Sequence, residues 1–215
     1  MALSPRTSDW IGIWSQCDLI WSYYDLPSLC AEDGELWAFD DRFYHAPLGV
    51  DAFDATLGGV RPFVVCSSGR SWLTESAREC ALAAEALNRK VLHLGPLFNS
   101  RPWVSSISGV IDSDLAALYG QCEFVSGLRR IEGFELPVVE GLLCGARPIC
   151  FDRPHYRQWF GEFAEFIPEG DRKDVLANLV RIFTDGPRPV TEEERHLVRH
   201  RFDWSVLLRG MWDRL

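Results

Sequence analysis

Lysine is almost missing from this chain of 215 residues: Lys90 and Lys173 stand alone, so twenty of the 22 basic side chains are arginine. What the shortage leaves is the side chain that grips phosphate bidentately. A formal charge of −9 argues against nonspecific binding to nucleic acid or anionic lipid, although a local basic groove stays open. No run of 18 apolar residues is present, which excludes a membrane-spanning helix. The first ten residues, "MALSPRTSDW", hold no apolar signal-peptide core. The seven cysteines contain no C-x-x-C pair, and most lie in apolar surroundings. They read as reduced, buried thiols, and the expected location is cytoplasmic. Internal repeats and low-complexity segments are absent too. What remains, 47% apolar and 25% charged residues, is the composition of a soluble globular protein. The length suits one large domain, or one domain with a partial second one.

The central stretch alternates strand and helix signals. "RPFVVCSSGR" (61–70) is a compact apolar run that ends in small residues, a buried strand entering a loop. Residues 73–89 carry Ala77, Cys80, Ala81, Ala84 and Leu87 at helical spacing, with Thr74 as the expected N-cap. "KVLHLG" (90–95) is the next strand. Residues 112–122 predict a short helix capped by Asp112 or Ser113; "EFVSG" predicts a strand, 136–145 a helix and 147–152 a strand. Pro137 fits the first helical turn and Gly145 the position just past the helix end. Such alternation, with near-continuous apolar strands, predicts an α/β fold: a Rossmann-like parallel sheet over residues 60–200 with helices on both faces.

Two helices are expected in the tail, 171–185 and 191–215, the second opened by "TEEE". Residues 1–59 form a reduced N-terminal segment or docking arm. Within it Trp10, Trp14, Cys17 and Trp21 recur at helical spacing; "DLIWSYYDLPSL" holds a short strand and residues 43–53 a strand with a glycine turn. The stripe has no lysine-rich polar face for a membrane surface. It suits packing on the α/β domain, self-pairing into a homodimer, or a partner chain.

In open parallel sheets, ligands bind beyond the carboxyl ends of the strands. Two loops are placed to do so. Ser68, Gly69 and Arg70 follow the strand at 62–66: small residues let backbone approach a phosphate, and arginine adds a charge-assisted fork. The plain alternative is an ordinary turn with a surface arginine. In "EGFELP" (132–137), the amides of Gly133, Phe134 and Glu135 lie at the start of the helix beginning near Leu136. Unpaired N–H groups and the helix dipole favour an anionic or hydroxyl-rich ligand there. Glu132 meets that ligand from the loop; Glu140, one turn into the helix, can accept two hydrogen bonds from a vicinal diol. The plain alternative is a dipole partner plus a solvated glutamate. His196 and His200 stand four apart on the last helix without a third ligand nearby, so no metal is expected. His155 after "DRP" reads as a loop contact.

The string E-G-F-x-L-P-x-x-E-x-x-x-x-G-x-x-P-I resembles the donor site of retaining glycosyltransferases with two Rossmann domains (GT-B), the large glycogen-synthase-like family. The resemblance spans roughly residues 43–215. "FYHAPLGVDAF" is similar to the link between the family's domains, Gly69 and Arg70 to its phosphate-binding Gly-Arg, and Ser108, Gly109 and Val110 to the loop that contacts the base. The final helix, 201–215, is similar to one that crosses back to the other domain. The resemblance implies a nucleotide-diphosphate sugar as substrate, no further cofactor, a catalytic role for Glu132 at the donor sugar, and a ribose-binding role for Glu140.

Three departures stand out. Only about 60 residues occupy the place of a complete first domain. Glu75 lies near the family's phosphate-binding lysine, whose charge Arg129 or Arg130 is placed to replace. Glu135 stands where the family has glycine and is expected to reshape the sugar pocket. The implied activity is sugar transfer to a hydroxyl acceptor with retention; the alternatives are a non-catalytic donor-binding or assembly subunit of a split enzyme and, for the acceptor, a modified DNA base. The sequence names no acceptor and no catalytic base.

Overall fold

The computed structural model describes residues 12–26, 41–51, 53, 59–69, 75–96, 101–131 and 133–215. The chain divides into two compact units, residues 52–200 and residues 1–51 with 201–215.

The larger unit is built on six parallel strands: β3 (Phe63–Ser68), β4 (Lys90–Leu94), β5 (Val104–Ile107), β6 (Cys122–Gly127), β7 (Arg147–Phe151) and β8 (Glu165–Ile167). They lie in the order β5-β4-β3-β6-β7-β8. The first strand of the unit is therefore central, and the chain winds outward in both directions from it, the order of dinucleotide-binding sheets. Helices α1 (Ala77–Ala86), α2 (Asp112–Gly120), α3 (Leu136–Leu143), α4 (Pro154–Phe160), α5 (Arg172–Asp185) and α6 (Glu192–Arg201) connect and follow the strands.

Side chains alternate across β6, so its neighbours report which helix covers which face. The Phe124 ring meets Phe183 of α5 at 5.7 Å. Val125 faces the opposite way, against Gly141 of α3, where an added Cβ would lie 2.6 Å from Val125 Cγ1. Helix α1 packs beside α5, and Arg172 Nε sits 3.4 Å from the buried Glu79 carboxylate. Helices thus cover both faces, as the alternating apolar strands predict.

Several boundaries differ from the sequence expectation. Helix α1 starts at Ala77 after Ser76, whose φ of 46° breaks the helix; Thr74 lies outside the described residues. Helix α2 is preceded by Ile111, and neither Asp112 nor Ser113 caps it. Strands β5 and β8 were not expected. Edge strand β5 alternates half-buried and exposed residues around two serines, so it carries no apolar run.

One buried cation ties the end of this unit to its sheet. Arg147, fully buried at the start of β7, donates through Nη1 and Nη2 to the two Glu194 oxygens, both at 3.0 Å. It also donates to the carbonyls of Phe163, Arg188 and Pro189 at 2.7, 2.9 and 2.7 Å. Glu194 and Thr191 cap α6 reciprocally, as "TEEE" predicts: Glu194 accepts from the Thr191 N–H and its own N–H donates to Thr191 Oγ1.

The smaller unit pairs β1 (Ile20–Ser22) in parallel with β2 (Phe43–His45). The helical stripe is not observed. Among the described residues of the stripe, 12–14 are helical, Trp21 lies in β1, and Trp10 is outside the described residues. Trp14 is buried with Ile20 and Phe43, while Trp21 donates to the Ala46 carbonyl and its ring meets Trp204. The expected helix at 191–215 is two helices, α6 and α7 (Trp204–Trp212), because Asp203 accepts from the Ser205 amide at 2.6 Å and starts the second. Helix α7 belongs to this unit: the Tyr44 hydroxyl donates to the Leu207 carbonyl, and Arg214 to that of Phe43.

Among the described residues no helix is long and apolar enough to cross a membrane. Six cysteines are described as free thiols, five of them buried.

Candidate active site at the sheet reversal

The sheet order reverses between β3 and β6, which places a crevice beyond their carboxyl ends. Both sequence-predicted loops open there. Ser68 and Gly69 leave β3; the segment entering α3 leaves β6. Arg70 and Glu132 lie outside the described residues.

Gly69 adopts φ +126°, a conformation that side chains rarely tolerate, and the Glu75 carboxylate lies where its Cβ would be. The Gly69 amide donates to the Leu94 carbonyl at 3.1 Å, fixing the loop against β4. Beneath it, Ser67 Oγ and His93 Nδ1 are 3.0 Å apart, both buried. Burial lowers the His93 pKa, against an opposing hydrogen bond to the Gly69 backbone.

Arg129 joins the two loops. Its Nη2 donates to Ser68 Oγ at 2.9 Å, and its Nε lies 3.3 Å from Glu135 Oε2. Glu135 is fully buried, and its other oxygen accepts from the Tyr156 hydroxyl of α4 at 3.0 Å. The carboxylate raises the Tyr156 pKa further after burial has already done so. Of the two arginines offered as replacements for the missing lysine, Arg130 is engaged elsewhere, with Glu169 at 3.4 Å and the Gly170 carbonyl.

Gly133, Phe134 and Glu135 are buried, and Leu136 begins α3 with Pro137 in its first turn. The Phe134 ring packs 5.4 Å from Phe160. Helix α3 ends as predicted, with Gly145 at φ 82° past its last turn. Glu140, half-buried on the second turn, accepts from the Tyr119 hydroxyl at 3.0 Å. Burial raises its pKa; the Tyr119 bond works against that, and Asp112 raises it again. That effect of Asp112 ties Glu140 to the start of α2, just after Ser108, Gly109 and Val110. In that loop Ser108 and Gly109 are exposed, and Gly109 has φ +70°.

Sequence reading singled out Arg129 only as one of two candidates and missed Tyr119, Tyr156 and His93. Each comes from a different helix or strand, and nothing in linear spacing links it to its partner. His155, beside Tyr156, has its pKa lowered to about 4 by burial and by Arg153. No group of three or more His, Cys, Asp or Glu side chains among the described residues could hold a metal.

No protein-family model matches the chain, and no curated protein sequence does. Solved structures do. A variant of S. aureus TarM, solved with fondaparinux, α-GlcNAc-glycerol and UDP, superposes with a TM-score of 0.73 at 12% identity, covering 97% of this chain and 46% of that one. The pneumococcal O-GlcNAc transferase GtfA, solved with UDP and GlcNAc, gives 0.71 at 14%, covering 96% and 46%. Sucrose-phosphate synthase from Thermosynechococcus elongatus gives 0.71 at 16%, covering 94% and 59%. The chain therefore spans about half the length of these proteins. At such identities the likeness concerns architecture, and the architecture is the Rossmann-like α/β fold of the GT-B glycosyltransferases.

Proposed function

We propose that the chain binds a nucleotide-diphosphate sugar at the sheet reversal and transfers the sugar to a hydroxyl acceptor with retention. The observation that carries this reading is the convergence of two loops on one crevice: Ser68 and Gly69 beyond β3, and residues 133–135 beyond β6. A diphosphate suits that crevice, because α3 begins there and its first amides favour anionic oxygen. Glu140 holds the ribose hydroxyls, Ser108 to Val110 meet the base, and Glu132 orients the donor sugar. Arg70 and the amides of 133–135 neutralise the leaving diphosphate, the main electrostatic task of such a reaction. Retention follows from the family resemblance of the "EGFELPVVE" segment.

A second reading is a donor-binding subunit that needs another chain for its acceptor site. It is favoured by Glu75, which stands near the place of the family's phosphate-binding lysine and whose carboxylate lies against Gly69. One calorimetric series addresses both readings. UDP, ADP, GDP and TDP are titrated into the protein, followed by assays of slow hydrolysis of the matching sugar nucleotides. Binding with hydrolysis is the expected result. Binding without turnover across acceptors supports the subunit reading, and failure of every nucleotide to bind defeats both. A gel shift with DNA at two salt concentrations tests the DNA-base acceptor, since phosphate-driven binding weakens with salt.

A further inference from the structure

We infer that Arg129 is the phosphate-gripping cation of this crevice and that Glu135 and Tyr156 position it; the inference rests on the nucleotide-sugar reading above. The three side chains come from separate segments. Arg129 lies two residues beyond β6, Glu135 immediately before α3, and Tyr156 on α4. They form one chain of contacts, from the Tyr156 hydroxyl to Glu135 Oε1, and from Glu135 Oε2 to Arg129 Nε. That chain ends at Ser68, the last residue of β3, on the opposite side of the sheet reversal.

Burial explains why the arrangement directs the guanidinium. Glu135 is 0% exposed, and a carboxylate removed from water needs both a cation and a hydrogen-bond donor. Arg129 supplies the first and Tyr156 the second. The Arg129 side chain keeps 19% of its exposure, so the buried end of the pair anchors an arginine that still reaches the crevice. Its neutral contact, the Ser68 hydroxyl, is one that a phosphate oxygen can replace or share, because serine both donates and accepts. An arginine held in this way loses little freedom when an anion arrives, which is the benefit of preorganisation. Glu135 thus acts through Arg129 and shapes the anion site without touching the ligand.

The test compares inorganic diphosphate, the best-bound nucleoside diphosphate, and the corresponding nucleoside, by calorimetry on the whole chain. Arg129→Gln alone would take the neighbouring cation from a buried carboxylate, so the double variant Arg129→Gln/Glu135→Gln carries the measurement. It is expected to lose at least about tenfold in affinity for the nucleoside diphosphate, the scale of a lost charge-assisted contact, with the nucleoside unchanged. Tyr156→Phe is expected to lose a smaller factor, about threefold, again for the diphosphate alone, which a general loosening of the fold would not do. A double variant that binds the diphosphate as tightly as the wild type overturns the inference. Wild-type binding of inorganic diphosphate that the double variant lacks, with no nucleotide bound, would keep the anion site and sink the nucleotide-sugar reading. Wild-type protein that binds neither sinks both.

Discussion

The Tyr119 hydroxyl donates to Glu140 Oε2 at 3.0 Å, joining helix α2 to the second turn of α3. Tyr119 is itself buried, so the bond is protected from water. It works against the burial that raises the Glu140 pKa. Removing the hydroxyl with Tyr119→Phe therefore raises that pKa further. If Glu140 must be ionised to accept ribose hydroxyls, binding falls off on the acid side, and the variant's fall-off moves to higher pH. Nucleoside titrations across about pH 4.5 to 8 check this, with Glu140→Gln expected to lose the acid limb altogether.

A second outcome concerns stability. Glu194→Ala leaves the Arg147 guanidinium buried without its counter-ion, a loss expected at about 3–5 kcal/mol. For a chain of this length that lowers Tm by roughly 10 °C. Burial pushes the Glu194 pKa up, but hydrogen bonds from Arg147 and Thr191 and the charges of Arg147 and Arg188 outweigh it and hold it at about 2. A carboxylate with a depressed folded-state pKa stabilises fully above its ordinary value of 4.5, and that contribution drains away as pH falls toward 2. The Tm gap between wild type and Glu194→Gln should accordingly narrow between about pH 5 and pH 2.5. An unchanged gap would mean that the folded state does not depress the Glu194 pKa and that the pair adds no stability through its charge.

How much of this was legible beforehand depends on whether the signal was local. Strands β3, β4, β6 and β7 are apolar runs buried on both faces, and the end of α3 at Gly145 is written in a single residue. Edge strand β5 has half its residues exposed and reads as loop. The tail pattern runs as one helix over 191–215 while the resemblance sets off a final helix at 201–215, and one capping aspartate, Asp203, decides the boundary. At the site, the loops were visible and their cross-links were not. Glu135 was expected to reshape the sugar pocket, yet its carboxylate turns inward to Tyr156 and Arg129. Pairing across 21 positions of sequence leaves no periodic trace.

Packing of α3 on the sheet supplies a third expectation. Gly141 meets Val125 so closely that a Cβ would sit 2.6 to 2.9 Å from three of its side-chain atoms. Ala at 141 has the better helix propensity, by about 1 kcal/mol, so a gain would be expected of an exposed position. Here the overlap must push α3 off β6, at a cost of about 1–3 kcal/mol. Denaturant unfolding of Gly141→Ala should show net destabilisation. A stabilised variant would mean that α3 shifts freely and that Glu140 is not held at a fixed height.

Glu75 supplies the last expectation. Its carboxylate lies against Gly69, at the loop where the proposed diphosphate docks. Two anions at that distance repel, and a half-exposed pair at an effective dielectric between water and protein interior interacts by about 1 kcal/mol. Glu75→Gln keeps the shape and removes the charge, so nucleoside diphosphate affinity should rise by roughly three- to tenfold. The gain should shrink in high salt, which screens an exposed repulsion. It should be smaller for the nucleoside, which has no phosphate to repel. If Glu75→Gln weakens binding instead, the carboxylate is holding the Gly69 loop in its binding conformation. Glu75→Ala would then weaken binding at least as much, and high salt would leave the loss unchanged.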